Sequence, residues 1–413
     1  MRPALPTFLR PPVALDQAMW RLLGALALIG FSTGYQGTVT TTSITYVAKE
    51  FGASSRSQGN ALAVIRADII LTLLIVRLAD RHGRRRVLMT CITVAPVLTA
   101  ACALAPNLAG FAGLQVLARA FVTATAIQAS IICVEELPAG ARAWASSAIV
   151  SAAAFGSALT LVALPIAGTG VRSWRVLYLV PLLSLMAVRT IARHVPESRS
   201  YVRLEQQRSQ GRAEARWSEH RGRMALILCW IVLMALFTNP ARQFQNDFLR
   251  EERGFTAGGL SLFGLLTNFP GTLGILLGGR IADRHGRRVV VGVGLMGFAA
   301  AMSSMFSSHG SALWLSSMVA SVLGAATLPA LAIYGPELFP TALRSRASGI
   351  ITAGTRVGGA AGLVVVGRLG DNGNLGPTLR VLAISLVIAA VIVLTLVPET
   401  AGRELTDLHP SDR

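Results

Sequence analysis

Six ionisable side chains stand inside long apolar stretches, where a charge has least reason to be. Arg66 and Asp68 fall in the run 58–78, Arg119 in 108–137, Arg356 in 345–367, and Arg242 with Asp247 in 224–248. An ionisable group at membrane depth costs several kcal/mol and marks a functional site by default. The chemistry open to this set is ionic rather than covalent. A guanidinium grips a carboxylate through two parallel hydrogen bonds, so Arg356 and Arg119 are candidate contacts for an anionic solute. Asp68 is the acidic residue at comparable depth and the candidate proton carrier; its rival role is a permanent ion pair with an arginine. Arg66, Arg119 and Arg356 against one aspartate leave positive charge that an anionic solute would neutralise. Arg189, near the end of its apolar run, is expected to snorkel to the interface.

Uncharged polar residues add to this set. Asn239, Gln243 and Asn246 recur at i, i+4 and i+7, one face of a helix, and Pro240 beside them permits a kink. Gln36 and Thr40 form a similar pair. Such groups hydrogen-bond either a solute or a neighbouring helix. Tyr334 precedes Gly335 and Pro336, where its helix should bend, and joins the candidate solute contacts. The chain shows no nucleophile–base constellation, metal-ligand spacing or phosphate loop, so neither enzyme activity nor a metal or cofactor is expected. Cys91, Cys102, Cys133 and Cys229 sit inside apolar stretches and read as small packing residues.

The elements that hold these residues must be membrane helices. Of 413 residues, 53% are hydrophobic and only 14% charged, and the mean hydropathy is +0.56. A soluble domain carries about a quarter charged residues. Apolar runs of bilayer length place twelve spans near 19–47, 58–78, 87–106, 108–137, 144–168, 174–193, 224–248, 258–280, 287–307, 311–335, 345–367 and 380–397. The expected class is an all-α polytopic membrane protein of two pseudo-symmetric six-helix bundles. The N-terminal bundle spans 19–193 and the C-terminal bundle 224–397. A tail (1–18), a linker (194–223) and a second tail (398–413) complete the chain. No cleavable signal peptide is evident in the proline-rich segment 1–16.

Arginines orient the spans. Loop 2–3 carries Arg77, Arg81, Arg84, Arg85 and Arg86, and loop 8–9 carries Arg280, Arg284, Arg287 and Arg288. The linker adds Arg199, Arg203, Arg208, Arg212, Arg216, Arg221 and Arg223, whereas loops 3–4 and 9–10 have neither Lys nor Arg. Short basic loops stay in the cytoplasm, so both termini and the linker are expected there, with the protein in the plasma (inner) membrane. The net charge of +18 then serves topology, and nucleic acid is not an expected partner. The linker composition suits an amphipathic helix on anionic headgroups or a flexible tether.

The chain also repeats itself. RLADRHGRRRV at 77–87 returns as RIADRHGRRVV at 280–290, 203 residues on. EELPAGAR at 135–142 returns as ELFPTALR at 337–344, and VPES at 195–198 as VPET at 397–400, each at an offset of 202. Three unrelated motifs with one offset mark a tandem duplication of six spans. Every motif falls at the basic end of a helix. Asp80, Arg84, Glu135, Arg142 and Glu197, with Asp283, Arg287, Glu337, Arg344 and Glu399, form a candidate cytoplasmic gate that holds the halves together and releases when they rock. The alternative is that they only fix topology. Gly83 and Gly286 permit the tight turn between antiparallel spans.

These motifs resemble the major facilitator superfamily. The D-R-H-G-R-R runs look like its signature loop, with Gly279 in the usual glycine position and Val76 replacing it in the first copy. VPESRSYV, VPETAGREL and PELFPTALRSRASG resemble segments of the sugar-porter, metabolite–proton symporter and organic-ion transporter branches. The resemblance implies the major facilitator fold and alternating access to a central site. Arg119 is similar to a helix 4 arginine that pairs with a helix 1 aspartate in sugar porters, but Gln36 stands at that aspartate's position. Arg356 resembles the helix 11 arginine of organic-anion transporters. The expected function is secondary active transport of a small organic solute, favoured as an organic anion or carboxylate metabolite, by proton-coupled symport through a monomer in the lipid bilayer. Alternatives are a drug or metabolite exporter, weakened because 144–168 lacks G-P-x-x-G-G, a sugar or polyol porter, and a transport-inactive sensor.

Overall fold

The computed structural model describes residues 10–210, 217–369 and 375–409, and the described residues form helices without a strand. Eleven helical segments are long and apolar enough to cross a bilayer. They supply span 1 (Gln17–Glu50), span 3 (Arg84–Ala101), span 4 (Leu108–Glu136), span 5 (Arg142–Ala167) and span 6 (Trp174–His194). The second half supplies spans 7 to 12, as Arg221–Gln243, Ala257–His285, Arg287–Met305, Gly310–Glu337, Arg344–Leu369 and Leu375–Leu396. Span 2 is the twelfth, and it is broken: Ser55–Ile65 and Asp68–His82 are separated by a turn at Arg66 and Ala67. Neither Pro nor Gly causes this break. The Arg66 carbonyl it frees accepts from Arg356 Nη1 of span 11 at 3.5 Å, a side chain inserted where a helical bond would close.

Small residues set the packing within each half. A methyl group added to Gly34 or Gly156 would overlap the backbone of the facing span, 5 or 1 respectively. Gly358 and Gly362 of span 11 meet span 7 in the same way, and Gly274 and Gly278 of span 8 meet span 10. In a bilayer, where no hydrophobic effect drives helices together, such backbone approach supplies the attraction through dispersion.

The halves meet through span 2 against span 11 and span 8 against span 5, and a glycine is traded between these interfaces. Gly279 lets span 8 press on the Ala143 carbonyl and the Ser147 side chain of span 5. At the equivalent place Val76 is fully buried, and the glycine is on the opposite helix. A Cβ at Gly349 would lie 2.8 Å from Val76 Cγ2. Val76 with Gly349 thus fills the space that Gly279 with Ser147 fills in the other copy.

The linker is docked where it is described. Arg199–Ser209 is helical, Tyr201 donates from its hydroxyl to the Arg81 carbonyl at 3.0 Å, and the Arg84 guanidinium lies over the Tyr201 ring. Trp217 stacks on Phe339 of the second half. Arg212 and Arg216 lie outside the described residues.

Candidate functional site

The ten charged residues of the repeated motifs converge at the basic face, on which loops 2–3 and 8–9 lie. Eight of them make bonds across to the other half. Asp80 of span 2 accepts from the Ser345 and Arg346 amides of span 11 at 3.2 and 3.0 Å. Asp283 of span 8 accepts from the Ala143 and Trp144 amides of span 5 at 3.1 and 2.8 Å. Each carboxylate therefore meets the positive N-terminal end of a helix in the other half. Glu135 pairs with Arg84 at 2.9 Å in its own half and with Arg344 across the interface. Glu337 pairs with Arg287 in its own half and with Arg142 across the interface at 3.5 Å. Arg84 donates to the Thr341 carbonyl and Arg287 to the Ala139 carbonyl, at 2.6 and 3.1 Å. All four arginines are buried.

Glu197 and Glu399 work inside their own halves. Glu197 accepts from the Arg85 amide at 3.1 Å; Glu399 accepts from the Arg287 and Arg288 amides at 2.9 and 3.0 Å. They cap spans 3 and 9 across Gly83 (φ 99°) and Gly286 (φ 103°). A Cβ there would sit 2.6 and 2.5 Å from the glutamate oxygens, so both φ and space demand glycine. One contributor was not legible in the repeat. Arg142 also donates to Glu404 at 3.2 Å and to the Arg403 carbonyl, which brings the C-terminal tail onto the first half.

Deeper in the bundle, Asp68 is fully buried and forms an ion pair with Arg356 of the other half. Asp68 opens the second segment of broken span 2, where the helix dipole favours a carboxylate. Arg356 also donates to the Thr123 hydroxyl of span 4 at 3.2 Å. Arg119 instead donates to the Gly37 carbonyl of span 1 at 3.1 Å. Arg66 is exposed, and its backbone carbonyl lies against the Arg356 guanidinium. Between this pair and the basic rim lies a cavity of about 280 Å³ lined by spans 4, 10 and 11, including Thr123, Ser130, Ser348 and Thr352. Sequence reasoning missed these hydroxyls; only their spacing along spans already marked by Arg119 and Arg356 could have found them.

The remaining candidates are dispersed. Asn239 donates to the Ala235 carbonyl and lies against Gly359, one turn from Arg356. Gln243 and Asn246 are exposed but separated by a helix break at Phe244. Gln36 is buried, accepts from Thr99 at 3.0 Å and donates to Ser32 at 2.9 Å. Its bonds are spent on packing within the first half. Tyr334 was expected at the solute, but it is buried and donates to the Pro398 carbonyl at 2.6 Å. It ties span 10 to the tail near the basic rim.

Comparison with known proteins agrees with this architecture. The gentisate transporter of Corynebacterium glutamicum is 24% identical over 356 residues, covering 83% of this chain and 80% of its own. The E. coli proton:xylose symporter XylE superposes with a TM-score of 0.81 at 17% identity, covering 95% of this chain and 98% of the other. The human organic anion transporter MFSD10 gives 0.72 at 14% identity, covering 92% and 100%. The model of the Major Facilitator Superfamily matches residues 26–266 and 244–409. This chain therefore belongs to the Major Facilitator Superfamily and is a multi-pass membrane transporter rather than an enzyme.

Proposed function

We propose that the protein is a proton-coupled symporter for a small organic anion bearing a carboxylate. The observation that carries this reading is the Asp68–Arg356 ion pair, which bridges the two halves, with the Arg66 carbonyl against the same guanidinium. Asp68 pairs with Arg356, while Arg66 and Arg119 carry no ion pair among the described residues, so these spans hold positive charge that a second anion would neutralise. A solute carboxylate approaching Arg356 competes with Asp68, and a proton taken up by Asp68 removes that competition. Anion and proton then bind together, which is the thermodynamic content of symport. The cavity bordered by Thr123, Ser130, Ser348 and Thr352 offers room for the rest of the solute, with the Ser130, Ser348 and Thr352 hydroxyls, whose protons go to backbone carbonyls, left to accept. The relatives that handle organic anions support this substrate class.

The rim network is the gate in this scheme. Its crosswise bonds hold the basic side shut, and alternating access breaks them as the halves rock. Arginine-rich short loops orient that side, the linker and both termini to the cytoplasm of a cell whose plasma membrane holds the protein. The carrier acts as a monomer.

Counterflow of labelled aromatic carboxylates in proteoliposomes tests the substrate class. Wild type is expected to exchange label, and Arg356→Ala to lose apparent affinity for the anion. Unchanged affinity in Arg356→Ala, or exchange of neutral sugars alone, removes the anion reading.

A further inference from the structure

Two pockets of the first half share no lining residue with the Asp68–Arg356 pair or with the cavity beside it. At the basic face, the ends of spans 1, 3 and 6 enclose a pocket of about 580 Å³ lined by Arg21, Arg85, Arg86, Arg193 and Arg199 together with Asp16, Glu136 and Glu197. The three carboxylates are already engaged. Asp16 caps Met19 at 2.7 Å, Glu136 holds the Arg199 amide at 2.7 Å, and Glu197 holds the Arg85 amide. Arg85 is spent on the Val195 and Ala192 carbonyls at 2.9 and 2.8 Å. Arg21, Arg86 and Arg193 are exposed, and their guanidiniums have no ion pair or hydrogen bond among the described residues.

Directly along the same seam lies the second feature, a cleft of about 260 Å³ whose walls are mostly apolar and include Leu28, Phe31, Ile92, Leu183, Ala187 and Ile191. Spans 1, 3 and 6 line both. Ile191 borders the cleft and Ala192 borders the pocket, so the two adjoin at one helical step. Span 6 borders the cleft with a tighter 3-10 turn at Val180–Ser184, where Pro181 lacks an amide proton. Leu28, Phe31 and Leu183 are exposed at its mouth, toward the surroundings of the bundle.

A cationic pocket at the basic end of spans 1, 3 and 6 and an apolar cleft next to it along the same spans together have the two-part chemistry of one molecule class. We propose that this seam binds an anionic phospholipid, its phosphate against Arg21, Arg86 and Arg193 and an acyl chain in the cleft between spans 1, 3 and 6. Unpaired guanidiniums select a phosphate with net negative charge over a zwitterionic headgroup. The site reports on a leaflet rather than on the transported solute, and its occupancy clamps spans 1 and 6 together at the basic face.

Native mass spectrometry of the full-length chain in detergent tests the proposal, with added phosphatidylglycerol, phosphatidylcholine of the same acyl chains, and glycerol phosphate. Phosphatidylglycerol is expected to be retained as one tightly held copy, while the other two are stripped. Replacing Arg21, Arg86 and Arg193 together by Gln is expected to weaken retention about fivefold per guanidinium and about a hundredfold in all. Ala187→Trp leaves every arginine in place and fills the cleft; it is expected to abolish retention of the lipid. Equal retention of phosphatidylcholine overturns the headgroup assignment. Displacement of the lipid by glycerol phosphate shows a free-phosphate site instead, and unchanged retention in both variants overturns the site.

Discussion

The carboxylate of Asp68 is buried, stands at the start of a helix segment and faces Arg356 of the opposite half. Removing one partner of such a pair leaves an uncompensated charge in a medium that solvates it poorly. Arg356→Ala is therefore expected to lower stability by about 3 kcal/mol, read as a fall in thermal midpoint in detergent. Combining Asp68→Asn with Arg356→Gln should lose less than Arg356→Ala alone, because no isolated charge remains. A double variant less stable than the single would show that the two residues do not act as a pair. Asp68→Asn by itself separates coupling from binding. It is expected to keep counterflow of the anion while losing accumulation driven by a proton gradient; accumulation that persists at the wild-type level removes Asp68 from the coupling scheme. The sequence marked Asp68 and Arg356 as charges inside apolar spans and offered an arginine as a partner for Asp68, but did not say which arginine. The junction depends on the break at Arg66–Ala67, and no Pro or Gly announces that break. Gln36 and Tyr334 were polar enough to suggest a solute, yet their bonds go to Thr99 and Pro398, partners visible only once the helices are packed.

At the scale of helices, the exchange of glycine between span 2 and span 11 makes a sharper case than any single position. The sequence carries Val76 where the second copy has Gly279 and the resembling family usually has glycine. The structure holds Val76 there and supplies the missing space from Gly349. Gly349→Ser is expected to cost about 1–3 kcal/mol through overpacking, since the new side chain meets Val76. Val76→Gly in the same molecule recreates the arrangement of Gly279 with Ser147 and should recover most of the loss. A double-mutant cycle on thermal stability checks this, with a coupling of about 0.5–3 kcal/mol expected. Strict additivity of the two substitutions would mean the helices do not share the space as described. Gly367→Ala is a suitable control because nothing lies near its added methyl, and it is expected to be neutral or mildly stabilising. Helix existence and order were readable from hydropathy throughout, because bilayer-length runs leave little choice. The trade of volume between facing helices was not, because it is a property of two segments more than 270 residues apart in chain order.

For the whole molecule, the duplication shows how one interface is built twice and why its parts should be interchangeable in effect. Asp80 and Asp283 each accept two amides from the first turn of a helix in the other half, at nearly equal distances. Charge-assisted bonds of this kind contribute about 1.5–3 kcal/mol, and under the proposed gating they are lost when the basic side opens. Asp80→Asn or Asp283→Asn should therefore raise the population open on that side by about 10- to 100-fold. Spin-label distances across the basic face, with hydrogen exchange at the Ser345 and Ala143 amides, measure the shift. The two variants should give similar shifts and the combination a larger one, until the closed state is no longer dominant. The exposed contact of Glu404 with Arg142 is expected to add little, as surface pairs do, so Glu404→Gln should leave the distances nearly unchanged. A large effect from Glu404→Gln with none from Asp80→Asn would place the lock in the tail, and the twofold logic of the rim would fail. The repeated motifs announced the members of this network, but their crosswise pairing required the two halves to be docked. A carboxylate at the end of span 2 has no local signal that its acceptor role is filled by amides 265 and 266 residues away.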